Sequence, residues 1–280
     1  MSYHYDCEMK ISSTDDVFSE SISEIYDESL VPMIFNQYAA EVSLMLSDLR
    51  KGALLEVAAG SGAVTRALAA MMPQQISITA TDLNQAMIDK ANQVGTARAI
   101  RWQQADVMDL PFSDASFDVV VCQFGAMFFE PKSAAFAEVR RVLCPGGQFI
   151  FSVWNGIELN EFAFEVTRSL AELFPDNPPR FFERIPYGYH HRQIIMNDLA
   201  AAGFSSTPIL DDMSFTSRAS SAHELAAAFC MGTPLRTEIE QRRAGGLSDV
   251  VDSVGASIER RFGASNLEGM MSAKFVSLKK

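Results

Sequence analysis

From Ala53 onward, short apolar runs alternate with stretches of helical periodicity, and this alternation restricts the fold more than any other feature. Apolar runs at Ala53–Val57, Ile76–Thr81, Arg98–Gln103, Phe117–Cys122 and Gln148–Val153 predict strands. Between them, Val64–Met71, Gln85–Val94 and Ser133–Leu143 predict helices, the last stopped by Pro145 and two glycines. Strands joined by helices must lie parallel, because a hairpin turn cannot connect them. Three consecutive valines, Val119 to Val121, suit a strand covered on both faces. With right-handed crossovers, the chain is expected to be an α/β protein with a doubly wound parallel sheet.

The rhythm breaks over 156–192, a stretch with four prolines and many aromatic residues, among them Phe162, Phe164, Phe174, Phe181, Phe182, Tyr187 and Tyr189. It returns with a helix at Arg192–Ala202, ended by Gly203, and a strand near Thr207–Leu210. Ser220–Met231, Thr237–Arg243 and Asp249–Arg261 predict helices, and Gly269–Leu278 a closing strand. Before the sheet, eight acidic residues and one lysine in the first 30 positions accompany periodic Val17, Phe18, Ile22, Ile25 and Tyr26. That pattern predicts an acidic amphipathic helix capped by Thr14, Asp15 and Asp16. Pro32 suits the first turn of a second helix, running to about Leu49. The expected organisation is an N-terminal helical lid over 1–50 and a sheet core over 51–155. A cap insertion follows over 156–243, with a return of the core at about 192–210, and 244–280 close the core.

The chain of 280 residues carries a net charge of −12, which disfavours nucleic acid and anionic membranes as general partners. Cysteines at 7, 122, 144 and 230 have no metal-ligand spacing and read as reduced thiols, so a cytoplasmic protein is expected. The opening MSYHYDCEMK lacks a signal-peptide pattern, and no window is long and apolar enough to span a membrane.

Ligands of open parallel sheets bind at the carboxyl ends of strands, where strand order reverses. After the first strand comes Glu56-Val57-Ala58-Ala59-Gly60-Ser61-Gly62, whose glycines permit a tight turn close to a ligand. The second strand is followed by Asp82, placed to accept hydrogen bonds from a ribose diol. Asp106 stands after the third, where a carboxylate beside a backbone N–H reads the amino group and ring nitrogen of adenine. A dinucleotide fingerprint fits only in part: Gly60, Gly62 and Asp82 satisfy it, but Thr65 occupies the third small position. Such a fold also leaves Glu56 and Asp106 unexplained. No G-K-[ST] follows, which excludes a phosphate-binding Walker loop.

LLEVAAGSGAVTRAL, TATDLNQAMIDKA, QQADVMDLPFSDASFDVVVCQFGAMFF and VRRVLCPGGQFIFSVW together resemble a class I S-adenosylmethionine-dependent methyltransferase, in the manner of the ubiquinone/menaquinone-biosynthesis enzymes and their small-molecule relatives. The likeness covers roughly 26–154. It implies a Rossmann-like, seven-stranded, mostly parallel sheet with S-adenosylmethionine as cofactor and S-adenosylhomocysteine as product. By the same resemblance, Glu56 neutralises the methionine ammonium partly through a water, and Gly60 and Gly62 let the loop pass under the cofactor. Asp82 holds the ribose, Leu83 and Met87 flank the adenine, and Asp106 and the Val107 N–H read its edge. Gln123 lies near the methionine moiety, and Tyr26 belongs to the lid. The family pattern usually has Asp and Gly where this chain has Glu56 and Ala58.

Methyl transfer from a sulfonium needs alignment, dryness and, for some acceptors, a base. Phe128, Trp154, Tyr187 and His190 are candidate pocket residues, and His190, His191 and Tyr26 are candidate catalytic groups. No metal site is expected, since the His190-His191 pair has no third ligand nearby. The reading over the fourth strand end, Gln123-Phe124-Gly125-Ala126, lacks the N-P-P motif of amide methylation, and Asn177-Pro178-Pro179 reads as a loop. The expected function is methylation of a small, apolar or aromatic metabolite. A non-catalytic cofactor binder and a nicotinamide-dependent oxidoreductase are the alternatives. A homodimer through the cap helices is also open.

Overall fold

The computed structural model describes residues 19–243 and 246–280, so the predicted cap at Thr14–Asp16 lies outside the described residues. A helical arm comes first: α1 (Glu20–Ile25), a π-helical stretch Tyr26–Phe35, and α2 (Asn36–Met45). The first half of the sheet follows as β1 (Gly52–Glu56), α3 (Ala63–Met71), β2 (Ile76–Asp82), α4 (Gln85–Val94), β3 (Arg101–Gln104), β4 (Phe117–Gln123), α5 (Lys132–Val142) and β5 (Leu143–Trp154). The second half comprises α6 (Glu161–Leu173), α7 (Phe181–Arg184), α8 (Arg192–Ala201), β6 (Ile209–Ser221), α9 (Ala222–Met231), α10 (Leu235–Arg242), α11 (Leu247–Phe262) and β7 (Ser265–Lys279).

The seven strands lie in the order β3-β2-β1-β4-β5-β7-β6. The first five pair in parallel, and β7 runs antiparallel to both β5 and β6. Val119, Val120 and Val121 are buried, as their polarity required. From β1 the chain winds outward through β2 to β3, then returns to the other side of β1 as β4. The crevice between the carboxyl ends of β1 and β4 is therefore the switch point of the sheet.

Four departures from the sequence reading have physical causes. Pro32 does not start a helix. It sits inside the π-helical stretch of a continuous arm, where the Asn36 N–H reaches back to the Val31 carbonyl. A turn widened in this way relieves the clash between the proline ring and the preceding carbonyl. The break assigned to 156–192 contains α6, whose Phe162, Ala163, Val166 and Leu170 are buried. Its Glu165 is fully buried and held by Arg168, Arg261 and Ser257, so a charged position on the core face hid the helix. Next, β6 extends to Ser221 and pairs with β7 from Ile209↔Ser277 to Ser221↔Ser265. The helix expected from Ser220 begins at Ala222, with the Ser221 hydroxyl accepting the Glu224 N–H at 3.1 Å. Lastly, α5 ends before Pro145, because Leu143 already pairs with Phe117.

Candidate functional site

The loop after β1 is pinned to both neighbouring strands. Val57 N–H donates to the Val121 carbonyl at 2.9 Å and Ala59 N–H to the Thr81 carbonyl at 2.9 Å. Gly62 has φ +89°, and a Cβ there would stand 2.9 Å from Trp102 Cη2. Across the switch point, a Cβ on Gly125 would meet the Ala58 Cβ at 2.4 Å and the Cys122 Sγ at 2.8 Å. The loops after β1 and β4 thus touch with no room for a side chain between them.

Asp82, at the end of β2, is buried and ties two loops together. Its Oδ2 accepts the Gly60 N–H and its Oδ1 the Asn84 N–H, each at 2.8 Å. Burial pushes its carboxyl above the ordinary range, against the lowering effect of these bonds. Glu56, at the end of β1, is 2% exposed and accepts the Thr65 hydroxyl at 2.6 Å. Burial pushes it up to about 8, a rise that Thr65 reduces, the Asp82 charge adds to and Arg66 opposes. Beside it is a side cavity of about 20 Å³, also lined by Tyr26, Phe35, Ser61 and Gln123. That is room for one water. Gln123 Nε2 donates to the Phe35 carbonyl at 3.4 Å, and its buried Oε1 has no partner among the described residues. Asp106 is exposed at the mouth and accepts the Met108 N–H at 2.9 Å.

The arm closes over this floor. Tyr26 lies 3.8 Å from where a Gly60 Cβ would stand. Its hydroxyl is pushed above the usual tyrosine range by burial first and then by the charges of Asp82 and Asp27, so it stays neutral. Asp27 Oδ1 accepts the Ser61 hydroxyl at 2.6 Å and Arg66 Nη2 at 3.0 Å, while Arg66 Nη1 donates to the Ser61 carbonyl at 2.6 Å. A second ion pair joins Glu28 to Lys90 at 3.2 Å. Sequence reasoning found Tyr26 and missed Asp27, since no spacing rule links the arm to Arg66 on α3.

A cavity of about 320 Å³ opens above the sheet. Tyr26, Ala58, Gly60, Asp82, Leu83, Met87, Asp106, Val107 and Gln123 all line it. Phe128, Trp154 and Tyr187 line its aromatic end, together with Phe181, Phe182 and Phe229. Phe124 stacks on Trp154 with ring centroids 3.9 Å apart and planes 7° from parallel. The sequence reading missed Phe124, Phe229 and Thr233. Glu56 borders the side cavity only, and Gly62 lies behind the loop against Trp102. The structure does not bring His190 or His191 to either cavity. The His190 Nδ1–H donates to the Tyr187 carbonyl at 2.8 Å, and the exposed His191 lies tilted against His190 with centroids 4.1 Å apart. Burial and then the neighbouring His190 push His191 below its ordinary value. Among the described residues, no group of His, Cys, Asp and Glu has the arrangement of a metal site, and no helix is long and apolar enough to cross a membrane.

Comparison with known proteins adds to this geometry. A methyltransferase-domain family matches residues 55–151. A ubiquinone/menaquinone biosynthesis C-methyltransferase of Saccharophagus degradans is 32% identical over 188 residues, covering 62% of this chain and 74% of that protein. The chain spans only 41%, 62% and 44% of three other curated relatives it matches. Phosphoethanolamine N-methyltransferase 2 of Haemonchus contortus, solved with phosphomonomethylethanolamine and S-adenosylhomocysteine, superposes with a TM-score of 0.60 at 16% identity, over 96% of this chain and 60% of that one. The [4+2]-cyclase SpnF superposes with a TM-score of 0.55 at 17% identity, over 96% of this chain and 99% of that one. At such identities the structural likeness is one of fold alone, and the fold carries more than one chemistry.

Proposed function

The chain belongs to the class I S-adenosylmethionine-dependent methyltransferase family, and on that premise we propose that it moves a methyl group from S-adenosylmethionine to a small apolar or aromatic acceptor. The observation that carries this reading is the division of the cavity. One end is floored by Asp82 and by the loop over Glu56, and the other is walled by aromatic rings.

The residues present fit the cofactor. Among the described residues, Glu56 is a buried carboxyl with no cation at hydrogen-bonding distance, and the Gln123 Oε1 is a buried acceptor without a donor. A guest bearing an ammonium satisfies both, with the side cavity holding a bridging water. Asp82 would hold the ribose hydroxyls. Leu83 and Met87 would flank the adenine, and Asp106 with the Val107 N–H would read its edge. Gly60 and Gly62 would keep the loop close beneath the methionine moiety.

When bound, S-adenosylmethionine supplies an electrophilic methyl on a sulfonium, and transfer leaves the C–S electron pair on sulfur. Loss of that positive charge favours a dry, apolar wall, which Trp154, Phe124 and Phe128 provide. Tyr26 and the arm exclude water above the loop. Among the described residues, neither His, Lys nor Cys lines the aromatic end, and Glu130 at its rim is exposed and pairs with Lys132. That lining suits an acceptor whose nucleophilic atom arrives without a proton or gives its proton to water.

Calorimetric titration with S-adenosylmethionine, S-adenosylhomocysteine and NAD tests the reading. Binding of the first two, weakened at least tenfold by Asp82→Ala, is expected. Tight binding of NAD in their place would overturn it.

A further inference from the structure

We propose that the acceptor is a ring compound with a neutral, lone-pair nitrogen of the pyridine type, and that the product is a quaternary cation favoured by the aromatic rings and by Glu130. This rests on reading the aromatic end of the cavity as the acceptor site.

Among the described residues, the charged side chains of the lining are Asp82, Asp106 and Glu130, and no Lys, Arg or His joins them. A carboxyl group is neutral or negative, so this lining gives a negative guest no counter-charge. The cations nearby are engaged elsewhere. Arg66 pairs with Asp27 at 3.0 Å and Lys90 with Glu28 at 3.2 Å. Lys132 Nζ donates to the Phe129 carbonyl at 3.0 Å and stands 4.7 Å from the centre of the Tyr189 ring. Glu130, on the cavity rim, meets that ammonium only at 3.9 Å, beyond hydrogen-bonding distance, and its side chain is exposed.

Phe124, Trp154, Phe181, Phe182, Tyr187 and Phe229 line the aromatic end. Phe182 stands at 86° to Tyr187 and at 82° to Phe229, with centroids 6.1 and 5.6 Å away. Rings crossed in this way present π faces in more than one direction, and such faces attract a cation. Transfer to a neutral nitrogen conserves the charge that the sulfonium brings. The nitrogen lone pair forms the N–CH3 bond, the C–S electron pair stays on sulfur, and the positive charge passes from sulfur to nitrogen. No proton is released, so no base is needed. A phenolate or thiolate, by contrast, would enter beside carboxyl groups without a counter-ion.

The test uses the full-length protein saturated with S-adenosylhomocysteine, titrated with three bicyclic probes of similar size. These are 2-methylnaphthalene, which is neutral, 2-methylisoquinolinium, a cation, and 2-naphthoate, an anion. The cation is expected to bind about tenfold tighter than the neutral probe, as a partly desolvated cation–π contact predicts, and the anion weakest. Glu130→Gln should cut the preference for the cation by about two- to fivefold, the range of an exposed ion pair, with S-adenosylhomocysteine binding unchanged as the check on folding. With S-adenosylmethionine, isoquinoline should be methylated and 2-naphthol should not, as read by mass spectrometry. If the neutral probe or 2-naphthoate binds as tightly as the cation, or 2-naphthol is methylated and isoquinoline is not, the charge assigned to the acceptor is wrong while the site stands. A preference unchanged in Glu130→Gln would remove Glu130 from the proposal. If none of the three probes binds wild type, the aromatic end is not an acceptor site, and both readings fall.

Discussion

Glu56 offers the sharpest check on the cofactor end. Its folded-state pKa, about 8, lies above the ordinary glutamate value of 4.5. At pH 6.5 the free protein then holds this side chain almost entirely protonated. A ligand ammonium, even through one water, favours the carboxylate, so binding should expel the proton. The expected release is about one proton per ligand at pH 6.5, shrinking as the pH approaches 8.5. Titration with S-adenosylhomocysteine in phosphate and in Tris, whose ionisation enthalpies differ widely, reads this directly as the slope of observed enthalpy. Glu56→Gln keeps an oxygen for the Thr65 hydroxyl, resembles the protonated acid and cannot release a proton. It should abolish the buffer dependence and weaken binding by roughly 10- to 100-fold, the worth of a hydrogen bond to a charged group. Asp82→Asn should retain the release even though it also weakens binding. The stability of the unliganded protein carries the same signature. A raised pKa means that the folded state holds the proton more tightly, so this contribution is complete below pH 4.5 and is lost as pH rises through 8. The melting temperature of Glu56→Gln should therefore gain on wild type between pH 6 and 9. Equal enthalpies in the two buffers for wild type would refute the reasoning, because Glu56 would then either be ionised in the free protein or not meet the cation.

The arm and the loop contact give two further expectations. Asp27→Ala removes the acceptor of both Ser61 and Arg66, so stopped-flow measurement should show S-adenosylhomocysteine leaving about tenfold faster, as loss of one charge-assisted bond predicts; an unchanged rate would mean that the arm does not gate the site. Gly125→Ala should destabilise the fold by about 1–3 kcal/mol in thermal or denaturant melts, since its Cβ would overlap that of Ala58. Gly95→Ala, with no atom within 4 Å, should show only the smaller cost of its φ of +80°.

The residues at the polar end were legible because backbone topology alone determines where they stand. A strand of a parallel sheet must end at the crevice side, so the residues following Glu56, Asp82 and Gln123 fall there whatever the side chains do elsewhere. The same logic could not reach Asp27, and it places Phe124 at the crevice without revealing which way its ring turns. Asp27 meets Arg66 only because a π-helical stretch brings the arm over α3, and nothing in a proline within an apolar run announces that geometry. Phe124 directly follows a strand, yet it has φ +53°, a backbone state disfavoured for a bulky residue, and this turns it onto Trp154. His190 shows the opposite failure. A histidine beside an aromatic segment invites a catalytic role, but here its imidazole holds the Tyr187 carbonyl.

These contrasts follow from how the two ends of the cavity are built. The cofactor end consists of successive strand termini, so altering one residue disturbs a sheet that everything else depends on. By contrast, the aromatic end is assembled from the segment after β4, the end of β5, the stretch Phe181–Tyr187 and the junction of α9 with α10. Two of these four are connections and a third is the short helix α7 with the turn after it, and their rings pack on one another. Phe181 lies against Phe128 at 6.4 Å, and Phe182 against Phe229 at 5.6 Å. Such a wall can change shape through one connection while the floor of Glu56, Gly60 and Asp82 keeps its hydrogen bonds. On the function proposed above, choice of acceptor is thereby separated physically from hold on the cofactor. The same separation explains why spacing along the sequence located one end and only composition hinted at the other.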